Sequence, residues 1–202
     1  MLAVTVTSAA ILLFLVMDPL GNIPFFLSAL KNVPAERQAR IIVRELLIAL
    51  AALLIFLFTG HYLLSALGLS TSSLGIAGGV VLMLIALRMI FPLRDPPQDD
   101  EIQGEPLVVP LAIPAVAGPS SLATVLLMTS GDAGRWPEWL LAILLAWLAT
   151  SVILLFGSRL SLLMGKRGLI AMERLMGLIL VTISVEMILT GLARFLGENL
   201  PG

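Results

Sequence analysis

The chain has 202 residues, of which 59% are hydrophobic and 12% charged, and its formal net charge is -1. Soluble domains carry about a quarter charged residues, so this chain cannot cover a water-facing surface and the bilayer must be its solvent. The near-neutral balance gives no footing for nucleic acid, and the absence of cysteine excludes disulfides, zinc–thiolate sites and thiol nucleophiles.

A spanning helix needs roughly 20 mostly apolar residues. Six stretches qualify, at about 3–30, 41–67, 73–92, 107–130, 138–164 and 169–196. No Lys or Arg precedes Lys31. The first stretch therefore lacks the basic start of a signal peptide and is read as a span of the mature chain. It is interrupted by Asp18-Pro-Leu-Gly-Asn-Ile-Pro24. Each proline lacks an N–H and disturbs the preceding turn. Such a break survives in hydrocarbon only where protein or a water-filled cavity satisfies the freed backbone groups.

Asp18 is the sharpest single residue. An acid at membrane depth marks an ion or proton pathway, or a buried pair. It could hold Na⁺ or exchange a proton, and it could also cap the half-helix that follows. Behind the first span come Lys31, Arg37, Arg40 and Arg44, a basic cluster read as a cytoplasmic anchor. His61, the only histidine, falls near the outer end of the second span and reads as interfacial. The third span carries Gly75, Gly78 and Gly79, which permit close helix packing within one chain or between two copies. It also carries Arg88, whose stem could snorkel to the interface.

The loop at about 93–106 holds Asp95, Asp99, Asp100, Glu101 and Glu105 between Pro and Gly residues. It reads as a solvated linker rather than a metal cluster. The fourth span contains the second break, Pro110 through Ser121. The fifth opens with Trp136 and Trp139, an interfacial pair. Arg159, Lys166, Arg167 and Arg174 precede or open the sixth span, where Glu173 and Arg174 read as an end-of-helix pair. The basic clusters put the odd loops in the cytoplasm and both termini outside.

The two halves repeat. Gly79, Leu82, Ile85, Met89 and Ile90 recur without gaps as Gly177, Leu180, Ile183, Met187 and Ile188. Gly60, Leu63 and Gly68 match Gly157, Leu160 and Gly165, and Pro19 and Gly21 correspond in character to Pro114 and Gly118. Three spans per half is an odd number, so the second half enters from the opposite side. The expected fold is an all-α membrane protein: six helices in a 3+3 inverted repeat, with helices one and four broken. It forms a single domain over 1–202, with repeat one at about 1–92, the linker at about 93–106 and repeat two at about 107–202. Paired broken spans point to a transporter site at the midplane.

A broken helix leaves free N–H groups and a positive dipole end, which suit an anion such as a carboxylate. The expected substrate-binding set is Gly21, Asn22, Gly118, Pro119, Ser120 and Ser121, with Asp18 coupling transport to H⁺ or Na⁺. Ser121 and Thr124 could equally bond back to their own backbone. Arg88 and Glu186 occupy equivalent repeat positions and could form an intramembrane pair or flank the site. No enzyme motif is present and no cofactor or metal is expected. Asp18 with Glu186 is the only acid pair an intramembrane enzyme could use. The rival to transport is a scaffold or sensor.

The motifs Asp18-Pro-Leu-Gly-Asn-Ile-Pro-Phe-Phe26, Ile113-Pro-Ala-Val-Ala-Gly-Pro119 and Glu173-Arg-Leu-Met-Gly-Leu178 closely resemble the MarC family of bacterial inner-membrane proteins. The resemblance covers essentially the whole chain and implies a place in the LysE transporter superfamily. It implies transport of small neutral amino acids of the glycine or alanine kind. It also implies an amide where this chain has Glu186.

Overall fold

Thr5 opens the first helix. Its hydroxyl accepts from the Ser8 N–H at 3.2 Å, and Ser8 Oγ accepts from the Thr5 N–H at 3.0 Å. This reciprocal bonding satisfies two donors that a helix start leaves free. The structure is a computed structural model that describes residues 5–30, 33–91, 116–131 and 133–199. Helix α1 (Val6–Met17) stops at Asp18, and α2 (Pro19–Ala29) begins at once. Helix α3 (Ala35–Leu67) ends at Gly68, whose φ of 64° and ψ of 26° reverse the chain. Helix α4 (Thr71–Ile90) is opened by Ser70, whose hydroxyl accepts from the Ser73 N–H.

The second half supplies α5 (Pro119–Gly131), α6 (Trp136–Leu155) and α7 (Gly157–Asn199). Helix α7 is interrupted at Gly165, with φ 64° and ψ 174°. No strand occurs among the described residues.

Five segments of the described residues are long and apolar enough to cross a bilayer: Val6–Leu27, Glu36–Gly60, Thr71–Ile90, Trp136–Leu155 and Arg167–Gly197. The first combines α1 and α2 across the break. The fourth expected span contributes only the shorter apolar helix Pro119–Thr129. Its first part, at 107–115, lies outside the described residues, as do Pro114 and the acidic linker at 93–106. The expected fifth span, to 164, ends earlier. Twenty residues of α6 already cover roughly 30 Å, and beyond Phe156 the chain turns into α7, where Ser158 and Arg159 are exposed.

Helices α4 and α7 pack antiparallel along a seam of small residues. A Cβ at Gly79 would sit 2.7 Å from Ile188 Cγ1 and 2.9 Å from the Ser184 carbonyl. One at Gly177 would sit 2.8 Å from Ile90 Cγ1 and 3.1 Å from the Ala86 carbonyl, and one at Gly191 would sit 2.8 Å from Ile76 Cγ1. Lipid supplies no hydrophobic drive between helices, so association depends on such close approach. Helix α3 packs on α5 and α6, and α6 packs on α1 and α2. Trp147 Nε1 donates to the Leu46 carbonyl at 2.8 Å, tying α6 to α3.

Leu13, Leu46, Leu53, Val125 and Ile143 lie in one buried core, and Val16, Leu82, Met176 and Leu180 in a second beneath the α4/α7 seam. Ile55, Phe58, Leu84, Leu148 and Leu178 point outward, each more than half exposed. An apolar exterior of that extent is a lipid-facing surface.

Candidate functional site

The first break is built around Asp18, the only non-glycine residue with positive φ among those described (φ 44°, ψ 60°). Its N–H donates to the Leu15 and Phe14 carbonyls at 3.0 and 3.2 Å, closing α1. Its own carbonyl accepts from the Asn22 N–H at 3.1 Å, and its Oδ1 accepts from the Gly21 N–H at 3.1 Å, opening α2. One residue thus ends one half-helix and caps the next. Asp tolerates the left-handed region because its short polar side chain bonds locally, here to Gly21.

Asn22 Nδ2 donates to the Met17 carbonyl at 2.9 Å, satisfying a group that the break frees. Gly21 has no room for a side chain: an added Cβ would overlap the Asp18 carboxylate and the Met89 methyl. Asp18 is 6% exposed.

The second break follows the same logic with different residues. Gly118 precedes α5, and its carbonyl accepts from the Leu122 N–H at 3.0 Å. Ser121 Oγ lies 2.9 Å from the Gly118 carbonyl and 3.2 Å from that of Val116. Thr124 Oγ1 donates to the Ser120 carbonyl at 2.8 Å. The hydroxyls of Ser121 and Thr124 therefore serve the backbone. Pro119 is exposed, while Ser120 is buried.

The two breaks meet. A cavity of about 220 Å³ is lined by Asp18 and Asn22 from the first, Gly118 and Ser120 from the second, and Leu82 of α4 and Leu180 of α7. Drug-sized ligands occupy pockets of about 300–1,000 Å³, so this one suits a smaller solute. Its walls are mostly apolar, with a carboxylate, an amide and a hydroxyl as the polar side chains. Of the residues picked out from sequence as substrate-binding, Asn22, Gly118 and Ser120 line the cavity. Gly21 and Ser121 instead shape the breaks.

Arg88 and Glu186 are not brought together. The α4/α7 seam is antiparallel, so Ile90 meets Gly177 at one end while Ile188 meets Gly79 further along. Arg88 therefore lies near the first of these levels and Glu186 near the second. The ion pairs among the described residues are Arg44–Glu45 and Arg135–Glu138. Glu186 Oε1 accepts from Thr190 Oγ1 at 3.3 Å and lines a different cleft. Arg88 is exposed.

Glu45 of α3 went unremarked in the sequence. It is fully buried. Its Oε1 accepts from Arg44 Nε and a terminal guanidinium nitrogen at 3.0 and 2.8 Å, and Oε2 has no partner. The Ser151 hydroxyl of α6 is the other buried, unpartnered side-chain atom among the described residues. The available signal was an acid inside the second apolar stretch, masked by the basic residue beside it.

The model for MarC family integral membrane proteins matches residues 3–196. The chain is 48% identical over 188 residues to the UPF0056 inner membrane protein YhgN of Escherichia coli (strain K12), covering 93% of this chain and 95% of that protein. It is 45% identical over 187 residues to a UPF0056 membrane protein of Buchnera aphidicola subsp. Schizaphis graminum, with the same coverage. A UPF0056 membrane protein of Chlamydia pneumoniae is 33% identical over 187 residues, covering 91% of this chain and 92% of that protein. No solved structure matches the chain.

Proposed function

The chain belongs to the MarC family of integral membrane proteins, and we propose that it is a six-span secondary transporter of small solutes such as glycine or alanine. Its place is the bacterial inner membrane, as its relative's name has it, with both termini on the outer side. The observation that carries this reading is a small cavity lined by both broken segments.

An inverted 3+3 repeat supports it. Adding 98 to Gly79, Ala86 and Ile90 gives Gly177, Ser184 and Ile188, and the two nearest contacts of the first glycine become the two nearest of the second under that exchange. Gly68 and Gly165, matched in sequence, are the two glycines with positive φ among the described residues. Helix α3 packs on α5 as α6 packs on α2. A Cβ at Gly60 would meet Leu126 of α5, and one at Gly157 would meet Ile23 of α2.

The chemistry of the cavity is polarised. The Asp18 carboxylate already occupies the start of α2, so a substrate carboxylate belongs at the N-terminus of α5, beside Ser120, where the helix dipole favours an anion. The substrate ammonium then faces Asp18. A zwitterion meets both demands. Asp18 couples transport to H⁺ or Na⁺ because a carboxylate 6% exposed at membrane depth needs a cation or proton when the substrate leaves. No catalytic step is assigned: Asp18 and Glu186 line different cavities.

Uptake of labelled alanine and glycine into proteoliposomes, with imposed pH or Na⁺ gradients, tests the reading. Accumulation above that of protein-free liposomes is expected. Uptake equal to that of protein-free liposomes across a broad panel of small solutes would sink it.

A further inference from the structure

A larger cleft, of about 400 Å³, is walled by the helices that wall the midplane cavity. On α1 its lining residue Leu12 lies one turn before Val16, which lines the cavity. On α4 Gly75 lies about two turns before Leu82, and on α5 Leu127 lies about two turns after Ser120. On α7 Glu186 lies six residues after Leu180. In the proposed orientation every one of these steps leads outward, so the cleft stands directly above the cavity on the outer side.

Its polar residues need water. Glu186 is eleven residues before Gly197, where the apolar span ends, which puts it roughly 16 Å along the helix from that end. A charge that deep on a lipid face is costly, and acids at membrane depth line water-filled cavities. Thr190 donates to the Glu186 carboxylate, and Thr71, Thr182 and Arg194 share the lining. Glu186 and Arg194 make no ion pair with each other, so an acid and a base face one cleft with a gap between them.

We propose that this cleft is a water-filled outer vestibule in which Glu186 takes the ammonium end and Arg194 the carboxylate end of a small zwitterion before it descends to the midplane cavity. The descent and the outer position rest on the transporter reading and its orientation; the water-filled cleft and its ligand do not.

The chain has no cysteine, so single-cysteine variants label without background. Thr182→Cys places a thiol one turn from Glu186, leaving the Thr190 contact in place. Val185→Cys, an exposed position outside the cleft, is the control. A membrane-impermeant trimethylammonium methanethiosulfonate, applied to intact cells, should modify Thr182→Cys and leave Val185→Cys unmodified. Millimolar glycine or alanine should slow that reaction several-fold, and adding Glu186→Gln should slow the reagent and remove the protection.

If Thr182→Cys resists the reagent from both membrane faces, yet reacts after unfolding in SDS, the vestibule is overturned. Labelling at the same rate with and without glycine or alanine overturns the zwitterion assignment. Neither outcome depends on whether uptake is detected.

Discussion

Gly79 and Gly177 sit in the same surroundings on opposite helices: each lies beneath an isoleucine side chain and a main-chain carbonyl of the other, Ile188 and Ser184 for Gly79, Ile90 and Ala86 for Gly177. The neighbouring carbonyls are backbone and cannot swing aside. Alanine at either position forces α4 and α7 apart, and overpacking of this kind costs about 1–3 kcal/mol. Gly79→Ala and Gly177→Ala should therefore lower the melting temperature of the detergent-purified protein by similar amounts. A large loss from one and none from the other would contradict the two-fold relation of the seam.

Gly68 and Gly165 share a φ of 64° but differ in ψ, 26° against 174°. Asparagine visits the first conformation readily. The second is essentially reserved for glycine, at a cost of about 1–3 kcal/mol for other residues. Gly68→Asn should be tolerated, whereas Gly165→Asn should destabilise clearly in the same thermal measurement.

Arg44 and Glu45 form a pair in which the arginine side chain is 41% exposed and the glutamate is fully buried. Removing the arginine leaves a buried charge uncompensated, which costs about 3–5 kcal/mol in such settings. Arg44→Gln should lower stability markedly, and Arg44→Gln with Glu45→Gln should recover most of the loss. If the double variant is no more stable than Arg44→Gln alone, the buried Glu45 carboxyl is not the reason that losing Arg44 destabilises.

The first break was legible because an Asp-Pro inside an apolar run has few structural solutions. Its internal economy was not: the sequence allows Asp18 to cap, to couple, or to do both, and the structure shows it closing one half-helix and capping the next. Asn22 and Ser121 were expected at a substrate, yet both spend hydrogen bonds on freed carbonyls. Composition cannot tell a side chain that serves its own backbone from one that serves a ligand.

Glu45 escaped notice because it follows Arg44 at the end of a span. Successive helical residues lie about 100° apart, so one neighbour faces outward and the next inward. The sequence repeat sets Arg88 and Glu186 at equivalent positions, and the structure does not bring them together as an ion pair. Leu82 and Leu180 both line the cavity between the two breaks. Arg88 and Glu186 lie six residues beyond them, in opposite directions across the membrane. Half of the second break lies outside the described residues, so its likeness to the first rests on Gly118 through Ser121.

Asp18→Asn isolates charge from architecture. Asparagine caps helices as well as aspartate does and accepts the same left-handed backbone, so the break should persist with its cavity. Gradient-driven uptake of alanine or glycine into proteoliposomes, compared between wild type and Asp18→Asn, is the direct test. The wild type should concentrate substrate under an imposed pH or Na⁺ gradient, while Asp18→Asn, folded and equally abundant, should only equilibrate it. Concentrative uptake by Asp18→Asn at the wild-type level would contradict the account.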